Sequence, residues 1–101
     1  MIILICYLTQ GDKTMNQLEL TWHSDPSHGY LEVPLAVIHQ LKLESKISRY
    51  SFLNGPARKV YLEEDCDAPQ FITAATAAGI QLNMIEKIYT SDAPIRALPR
   101  Y

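Results

Sequence analysis

Two periodicities alternate along this chain, and their order limits the fold more than any other feature. In QLELTWH, residues 17–23, every second residue is apolar, which is the pattern of a strand with one buried face. IQLNMIEKIY, residues 80–89, alternates in the same way. Between these strands, turn-forming residues separate shorter extended segments from stretches with helical spacing. This order predicts an α+β domain.

Two helices are predicted between the outer strands. In PLAVIHQLKL, Leu35, Ile38 and Leu41 lie on one side of a short amphipathic helix. The second helix is bounded by good signals, because Asp67 suits an N-cap and Gly79 stands where a C′ glycine is expected. Its buried stripe is predicted to consist of Ala68, Phe71, Ile72 and Ala75. A wider surface of small residues is predicted to be formed by Ala74, Ala77 and Ala78.

A β-hairpin is predicted between the helices. KISRYSFL and ARKVYLEE flank Asn54-Gly55, which is a strong turn dipeptide. The residues expected to face the core are Tyr50, Phe52, Val60 and Leu62. Those expected to face outward are Arg49, Ser51, Lys59, Tyr61 and Glu63. With a short extended segment at YLEV, the predicted order is β-(β)-α-β-β-α-β. The expected architecture is a small α+β domain with a largely antiparallel sheet of about four strands and two helices on one face.

The first fourteen residues are assigned separately. If Gln10-Gly11-Asp12 is encoded CAA-GGA-GAC, the message carries the purine run AAGGAG at ribosome-binding distance before the Met15 codon. We therefore expect residues 1–14 to be a translated leader and residues 15–101 to be the single domain. The alternative is that Ile2–Leu8, which is rich in β-branched residues, forms a real edge strand.

Composition narrows the class of function. A chain of 101 residues with 48% hydrophobic and 20% charged residues has room for one globular core. Its net charge of −2 and scattered basic residues argue against a broad grip on nucleic acid or anionic membrane. The apolar N-terminal run is far shorter than the roughly 20 residues that span a bilayer. Two cysteines do not make a disulfide scaffold. We expect a reduced cytoplasmic protein without a cofactor.

The densest cluster of functional groups is VYLEEDCDAPQF, residues 60–71. Acids at a helix N-terminus stabilise the helix, and Asp65 and Asp67 suit that role. Glu63 and Glu64 precede the helix, so we predict that they are exposed and form a negative docking surface for a basic partner. The predicted partner-binding residues are Glu63, Glu64, Asp65, Arg49 and Tyr61.

Catalytic and metal sites are alternatives with weaker patterns. His23, Asp25 and His28 are the weak metal candidates, and a hydrolase could combine them with Cys66. No paired Cys or His motif accompanies them, and the neighbouring acids oppose ionisation of the thiol, so a half-buried structural cysteine is expected. An enzyme is therefore disfavoured. A nucleic-acid interface is disfavoured further; its candidates are Lys46, Arg49, Arg58, Lys59 and Arg96.

The segments HGYLEVP, KISRYS, VYLEEDCD and SDAPIRALPRY resemble a family of small uncharacterised accessory proteins encoded by proteobacteria, their phages and plasmids. The resemblance spans most of residues 23–101 and implies no activity and no catalytic residues. It implies a context in which small acidic proteins bind a host or competitor protein as inhibitors or regulators. We therefore expect a non-enzymatic protein that acts by protein–protein binding. A homodimer, formed through an edge strand or a helix, is also expected.

Overall fold

The structure, a computed structural model, describes residues 16–101. It confirms the α+β class, with five strands where about four were predicted. The helices and strands are β1 (Asn16–Ser24), β2 (Gly29–Pro34), α1 (Leu35–Gln40), β3 (Phe52–Asn54), β4 (Lys59–Glu63), α2 (Asp67–Ala77), β5 (Ile80–Ile88) and a 3₁₀ helix (Pro94–Ala97). The predicted leader or edge strand at residues 1–14 lies outside the described residues.

The sheet is mixed and has the strand order β3-β4-β2-β1-β5. The pairs β1–β2, β2–β4 and β3–β4 are antiparallel, whereas β1 and β5 are parallel and pair along their whole length, from Asn16 opposite Ile80 to Ser24 opposite Ile88. Three of the four pairs agree with the prediction of a largely antiparallel sheet, and the parallel pair is the exception. It arises because α2 carries the chain from β4 to the far side of β1, where β5 runs in the same direction as β1.

Both helices pack on one face of the sheet, as predicted. The alternating strand residues Leu31, Val33, Val60 and Leu62 are fully covered there by the side chains of α1 and α2. Phe71 is the largest side chain in this core with no exposed surface. These four residues are apolar, so burial accounts for the alternation of β2 and β4 in the sequence.

Part of the opposite face is covered by residues 89–101, here called the C-terminal strap. Ala93 and Ile95 of the strap pack on Tyr30 and Phe52 of the sheet and are buried with them. The strap then runs along the outer edge of β3, where the Leu53 N–H donates to the Pro99 carbonyl at 2.8 Å. The strap thus adds a layer on this face and closes one edge of the sheet.

Three residues of the hairpin differ in position or burial from the prediction. Phe52 is the first residue of β3 and lies opposite Tyr61, on the strap side rather than with Val60 in the helix-side core. Tyr50, predicted to be buried, is 63% exposed because it precedes the strand. Ser51, predicted to face outward, is fully buried. Its hydroxyl donates to Asp67 and accepts the Glu63 N–H, so polar contacts that the sequence does not reveal hold it inside.

The helix boundaries follow local backbone chemistry. Gly79 has φ +82, which confirms the predicted C′ glycine after α2. Asp67 is the first residue of α2 rather than its N-cap, because the N-cap position is held by Cys66. Within residues 16–101, no helix is long and apolar enough to cross a membrane.

Candidate functional site

A cleft of about 540 Å³ lies on the strap side of the sheet, between the turn after β4 and the strap. Its lining comprises the aromatic residues Tyr30, Tyr50 and Phe52, the basic residues His28, Arg96 and Arg100, and the group Glu63, Asp65 and Cys66. Tyr30 and Phe52 are buried with their rings edge to face, 5.5 Å between centroids, so they form a fixed aromatic base.

Arg96 is anchored within this cleft. Its guanidinium donates to Asp92 Oδ1 at 3.2 Å, lies 3.8 Å from Asp25 Oδ2, and approaches His28 Nδ1 at 3.2 Å. These contacts come from the strap and from the β1–β2 loop, so Arg96 ties the two together. With two carboxylates beside it, much of its charge is already compensated.

Arg100 is differently placed. Its guanidinium carbon lies 4.7 Å from the Phe52 ring centroid, which is a cation–π contact. One nitrogen donates to the Arg49 carbonyl at 3.2 Å. Among residues 16–101, neither Arg100 nor Arg49 forms an ion pair with a carboxylate. Both lie beside the exposed Tyr50 ring, so this end of the cleft combines uncompensated positive charge with an accessible aromatic surface.

The acidic residues are more constrained than the sequence suggested. Glu63 is buried, and its carboxylate accepts the Cys66 N–H at 2.9 Å. Glu64 is half-buried and accepts the Gly29 N–H. The prediction that both are exposed is therefore wrong, since Glu63 accepts from the N-cap residue of α2 and Glu64 from the first residue of β2. Asp65 is exposed at the edge of the cleft and remains available to a partner.

Cys66 is exposed rather than half-buried as predicted, and it contributes to the cleft. Loss of hydration around the sulfur, the hydrogen bond to Glu63 and the charges of the neighbouring acids raise the pKa of the thiol. The neutral thiol is a poor nucleophile and a poor metal ligand. This environment favours a contact role for Cys66 over the alternative of a cysteine hydrolase.

Asp25 organises the loop that borders the cleft. Its carboxylate accepts the N–H groups of Ser27, His28 and Ala93 at 2.8–3.0 Å. The bonds from Ala93 and His28 lower the pKa of Asp25 from 3.8 to about 2. Because Ala93 belongs to the strap, the ionised carboxylate joins the β1–β2 loop to the strap.

Replacing Asp25 with asparagine is expected to remove part of the acid sensitivity of the fold. The folded pKa of about 2 lies below the ordinary value of 3.8. As the pH falls through that interval, the unfolded chain binds a proton before the folded protein does, so the wild type loses stability there. Asp25→Asn should be less stable at neutral pH and should lack this share of the loss. Urea unfolding over a pH series measures the free energy of unfolding at neutral pH and its decrease as the pH falls. A variant that matches the wild type in both quantities would contradict the expectation.

A second polar cluster crosses the strap side of the sheet. His23 lies 2.9 Å from the Tyr89 hydroxyl through Nδ1 and 2.7 Å from Glu32 through Nε2. Glu32 also accepts from Lys59, and Tyr61 meets the His23 ring edge to face. Burial raises the pKa of Glu32, but the bonds from Lys59 and His23 outweigh it and leave the pKa below its usual value. His23 and Glu32 are thus satisfied by neighbours in the sheet and by Tyr89 at the start of the strap.

The weak metal candidates do not converge. His23 belongs to the cluster with Glu32, Asp25 binds backbone N–H groups, and His28 faces the cation of Arg96. No group of three His, Cys, Asp or Glu side chains in the described part of the chain is arranged to hold a metal ion. The candidate nucleic-acid residues are also partly engaged, since Lys59 pairs with Glu32 and Arg96 with Asp92.

The predicted partner-binding residues are only partly brought together. Glu63 and Asp65 line the cleft and Arg49 borders it, whereas Tyr61 belongs to the His23 cluster and Glu64 binds Gly29. The residues that sequence reasoning missed are Tyr30, Tyr50, Phe52 and Arg100. The paired arginines of PIRALPRY were a visible signal, but nothing in the sequence placed this segment across the sheet.

Comparisons with known proteins assign no family. No protein-family model matches the chain, and searches of curated proteins and of solved structures found no similar protein. A functional proposal for this chain therefore rests on its own residues, and the cleft is where charged, aromatic and accessible groups meet.

Proposed function

We propose that this protein is a non-enzymatic binding protein that holds an acidic segment of a partner protein in the cleft. The observation that carries the proposal is the end of the cleft formed by Arg49, Tyr50 and Arg100. There, two arginines without an ion pair among residues 16–101 flank a tyrosine that is 63% exposed. Tyrosine and arginine are enriched among the residues that dominate binding energy at protein interfaces.

The chemistry of this end favours a carboxylate-bearing segment. Arg100 is held over the Phe52 ring and by the Arg49 carbonyl, so its remaining N–H donors are positioned for a planar acceptor. A segment with Asp or Glu at this position would replace water with charge-assisted hydrogen bonds. Asp65, at the other side of the cleft, would accept from a basic or polar residue of the same segment. This reverses the sequence-based expectation, in which an acidic surface selects a basic partner.

The buried base of the cleft supports binding rather than turnover. Tyr30 and Phe52 are fixed by Ala93 and Ile95 of the strap, which limits the ordering cost on association. Cys66 is the one thiol among the cleft residues, and loss of hydration, the hydrogen bond to Glu63 and the neighbouring acids raise its pKa, which disfavours the thiolate. We propose further that binding inhibits or regulates the partner, as expected of the accessory proteins that the sequence resembles.

Truncating the arginine–tyrosine end is expected to weaken partner binding. Arg100→Ala and Tyr50→Ala should each raise the Kd by roughly 30-fold, corresponding to about 2 kcal/mol for residues that dominate an interface. Proteins retained by the immobilised wild type are compared with those retained by each variant. For any protein that the wild type retains and neither variant does, the Kd is then measured with purified components.

The matched control is Lys46→Ala, which removes an exposed cation outside the cleft. It should bind as the wild type does. If the Arg100 and Tyr50 variants retain the same proteins with unchanged Kd, or if Lys46→Ala weakens binding equally, the cleft is not the binding site.

A further inference from the structure

The two edges of the sheet are treated differently. At β3, the strap supplies backbone partners: Leu53 donates to Pro99, and Tyr101 donates to Ser51. At the other edge, β5 pairs with β1 on one side, and no other strand within residues 16–101 lies along its outer side. An open edge of nine residues, about 30 Å long at the usual rise per residue, is a template for pairing with another strand.

This edge also carries three of the four exposed large hydrophobic residues of the described chain. Met84, Ile85 and Ile88 are 41%, 53% and 72% exposed, and the remaining large exposed hydrophobic residue is Tyr50 in the cleft. By strand alternation, Met84 and Ile88 lie on the helix side of the sheet and Ile85 on the strap side, so apolar side chains flank the unpaired edge on both faces.

The direction of the free backbone groups can be deduced. The Tyr89 N–H donates to the Ser24 carbonyl at 2.8 Å, so Tyr89 points its backbone groups towards β1. The β1–β5 register continues without interruption over nine residue pairs. Because backbone direction alternates along a strand, Leu82, Met84 and Glu86 direct their N–H and C=O groups outward.

We propose that a second copy of this chain pairs with β5, antiparallel, about a twofold axis perpendicular to the sheet at Met84. In this arrangement Met84 lies opposite Met84 of the partner subunit in a hydrogen-bonded pair. The two sheets join into one, with the helices of both copies on the same face.

The centre at Met84 follows from length and charge. Met84 is the middle residue of β5, so this register pairs all nine residues of both strands. It places Ile80 opposite the partner's Ile88, Leu82 opposite the partner's Glu86, and Gln81 opposite the partner's Lys87. Centres at Glu86 or Lys87 would set identical charges opposite each other, which is unfavourable, and would shorten the pairing. The strand bears one acid and one base, so two copies do not repel through net charge.

The proposal is tested on the full chain by measuring its mass in solution. The wild type should sediment as a dimer, and Met84→Lys should abolish dimerisation, because it places two like charges together at the twofold axis. Ser45→Lys adds the same charge on an exposed turn and should remain dimeric. Circular dichroism checks that each variant is folded.

A cysteine experiment tests the register independently of the lysine variant. With Cys6 and Cys66 replaced by serine, Met84→Cys should oxidise to a disulfide-linked dimer, since opposite residues of a hydrogen-bonded pair lie within disulfide range. In this register residue 83 lies opposite residue 85 of the partner subunit, two residues away from the partner's residue 83, so Asn83→Cys should not cross-link.

A wild type that is monomeric at every concentration overturns the proposal. This includes a monomer whose β5 amides are protected from hydrogen exchange because residues 1–15 of the same chain cover the edge. A dimer that persists in folded Met84→Lys, or that cross-links through residue 83 instead of residue 84, overturns it as well.

Discussion

Replacing Asp67 with alanine is expected to destabilise the protein by about 3 kcal/mol, because several hydrogen bonds to one buried charge are lost together. Asp67 is 3% exposed. Its carboxylate accepts the Ser48 N–H, the Ser48 hydroxyl at 2.7 Å and the Ser51 hydroxyl. Without it the fully buried Ser51 hydroxyl and the two half-buried Ser48 donors lose their acceptor. Ser51 also accepts the Glu63 N–H, so the loss extends to the end of β4 beside the cleft.

The control for this variant is Asp65→Ala, which removes an exposed acid from the turn before the same helix. Surface changes of this kind usually alter stability by no more than about 0.5 kcal/mol. Urea unfolding of the two variants and the wild type measures the difference. Equal stabilities for Asp67→Ala and Asp65→Ala would show that the buried network does not hold the turn.

Truncating Phe71 to alanine is expected to cost about 3–5 kcal/mol, as large-to-small changes of buried aromatic residues do. Phe71 has no exposed surface and is the largest fully buried side chain of the helix-side core. Its removal leaves a cavity between α2 and the sheet that the surrounding side chains fill only in part. Since native domains are stable by only about 5–15 kcal/mol, this one change removes a large share of the total.

Thr73→Ala on the exposed side of α2 is the matched control for Phe71→Ala. It removes side-chain atoms from the same helix without opening the core, and alanine has the higher helix propensity. Thermal and urea unfolding should therefore show wild-type stability or slightly more. If Phe71→Ala lowered the free energy of unfolding by less than about 1 kcal/mol, the packing of α2 against the sheet would be contradicted, because such a cavity usually costs more.

Local signals in the sequence were sufficient for the fold class and for several boundaries. The alternation at residues 17–23 and 80–89 identified β1 and β5, and Gly79 marked the end of α2. Alternation reports which face of a strand is buried but not which strand lies beside it or in which direction. The parallel pairing of β1 with β5 was therefore missed, as was the placement of Phe52 on the strap side.

The candidate site was harder to predict because it is built from distant segments. Asp65 and Cys66 were found as members of an acidic run, but the run meets Arg96 and Arg100 only because the strap crosses the sheet. The roles of Glu63 and Glu64 depend on the N–H groups of Cys66 and Gly29. Contacts of this kind between a side chain and a backbone donor leave no mark in composition or spacing, so exposure was the natural but wrong expectation.

The cleft and the β5 edge lie on different parts of the molecule. The cleft is bordered by the turn after β4 and by the strap, next to the covered edge at β3, whereas β5 is the opposite edge of the sheet. A dimer formed through β5 therefore leaves two clefts accessible. Binding of a partner with two equivalent segments would then gain from avidity.

The most direct test of the cleft as the binding site uses the thiol within it. Cys66 is exposed and lines the cleft, so its rate of alkylation, read by mass spectrometry of its own peptide, reports whether the cleft is occupied. In the complex with the protein whose retention depends on Arg100 and Tyr50, we expect alkylation of Cys66 to slow severalfold relative to the free protein. An unchanged rate in a saturated complex would show that the partner binds elsewhere and would contradict the proposed function.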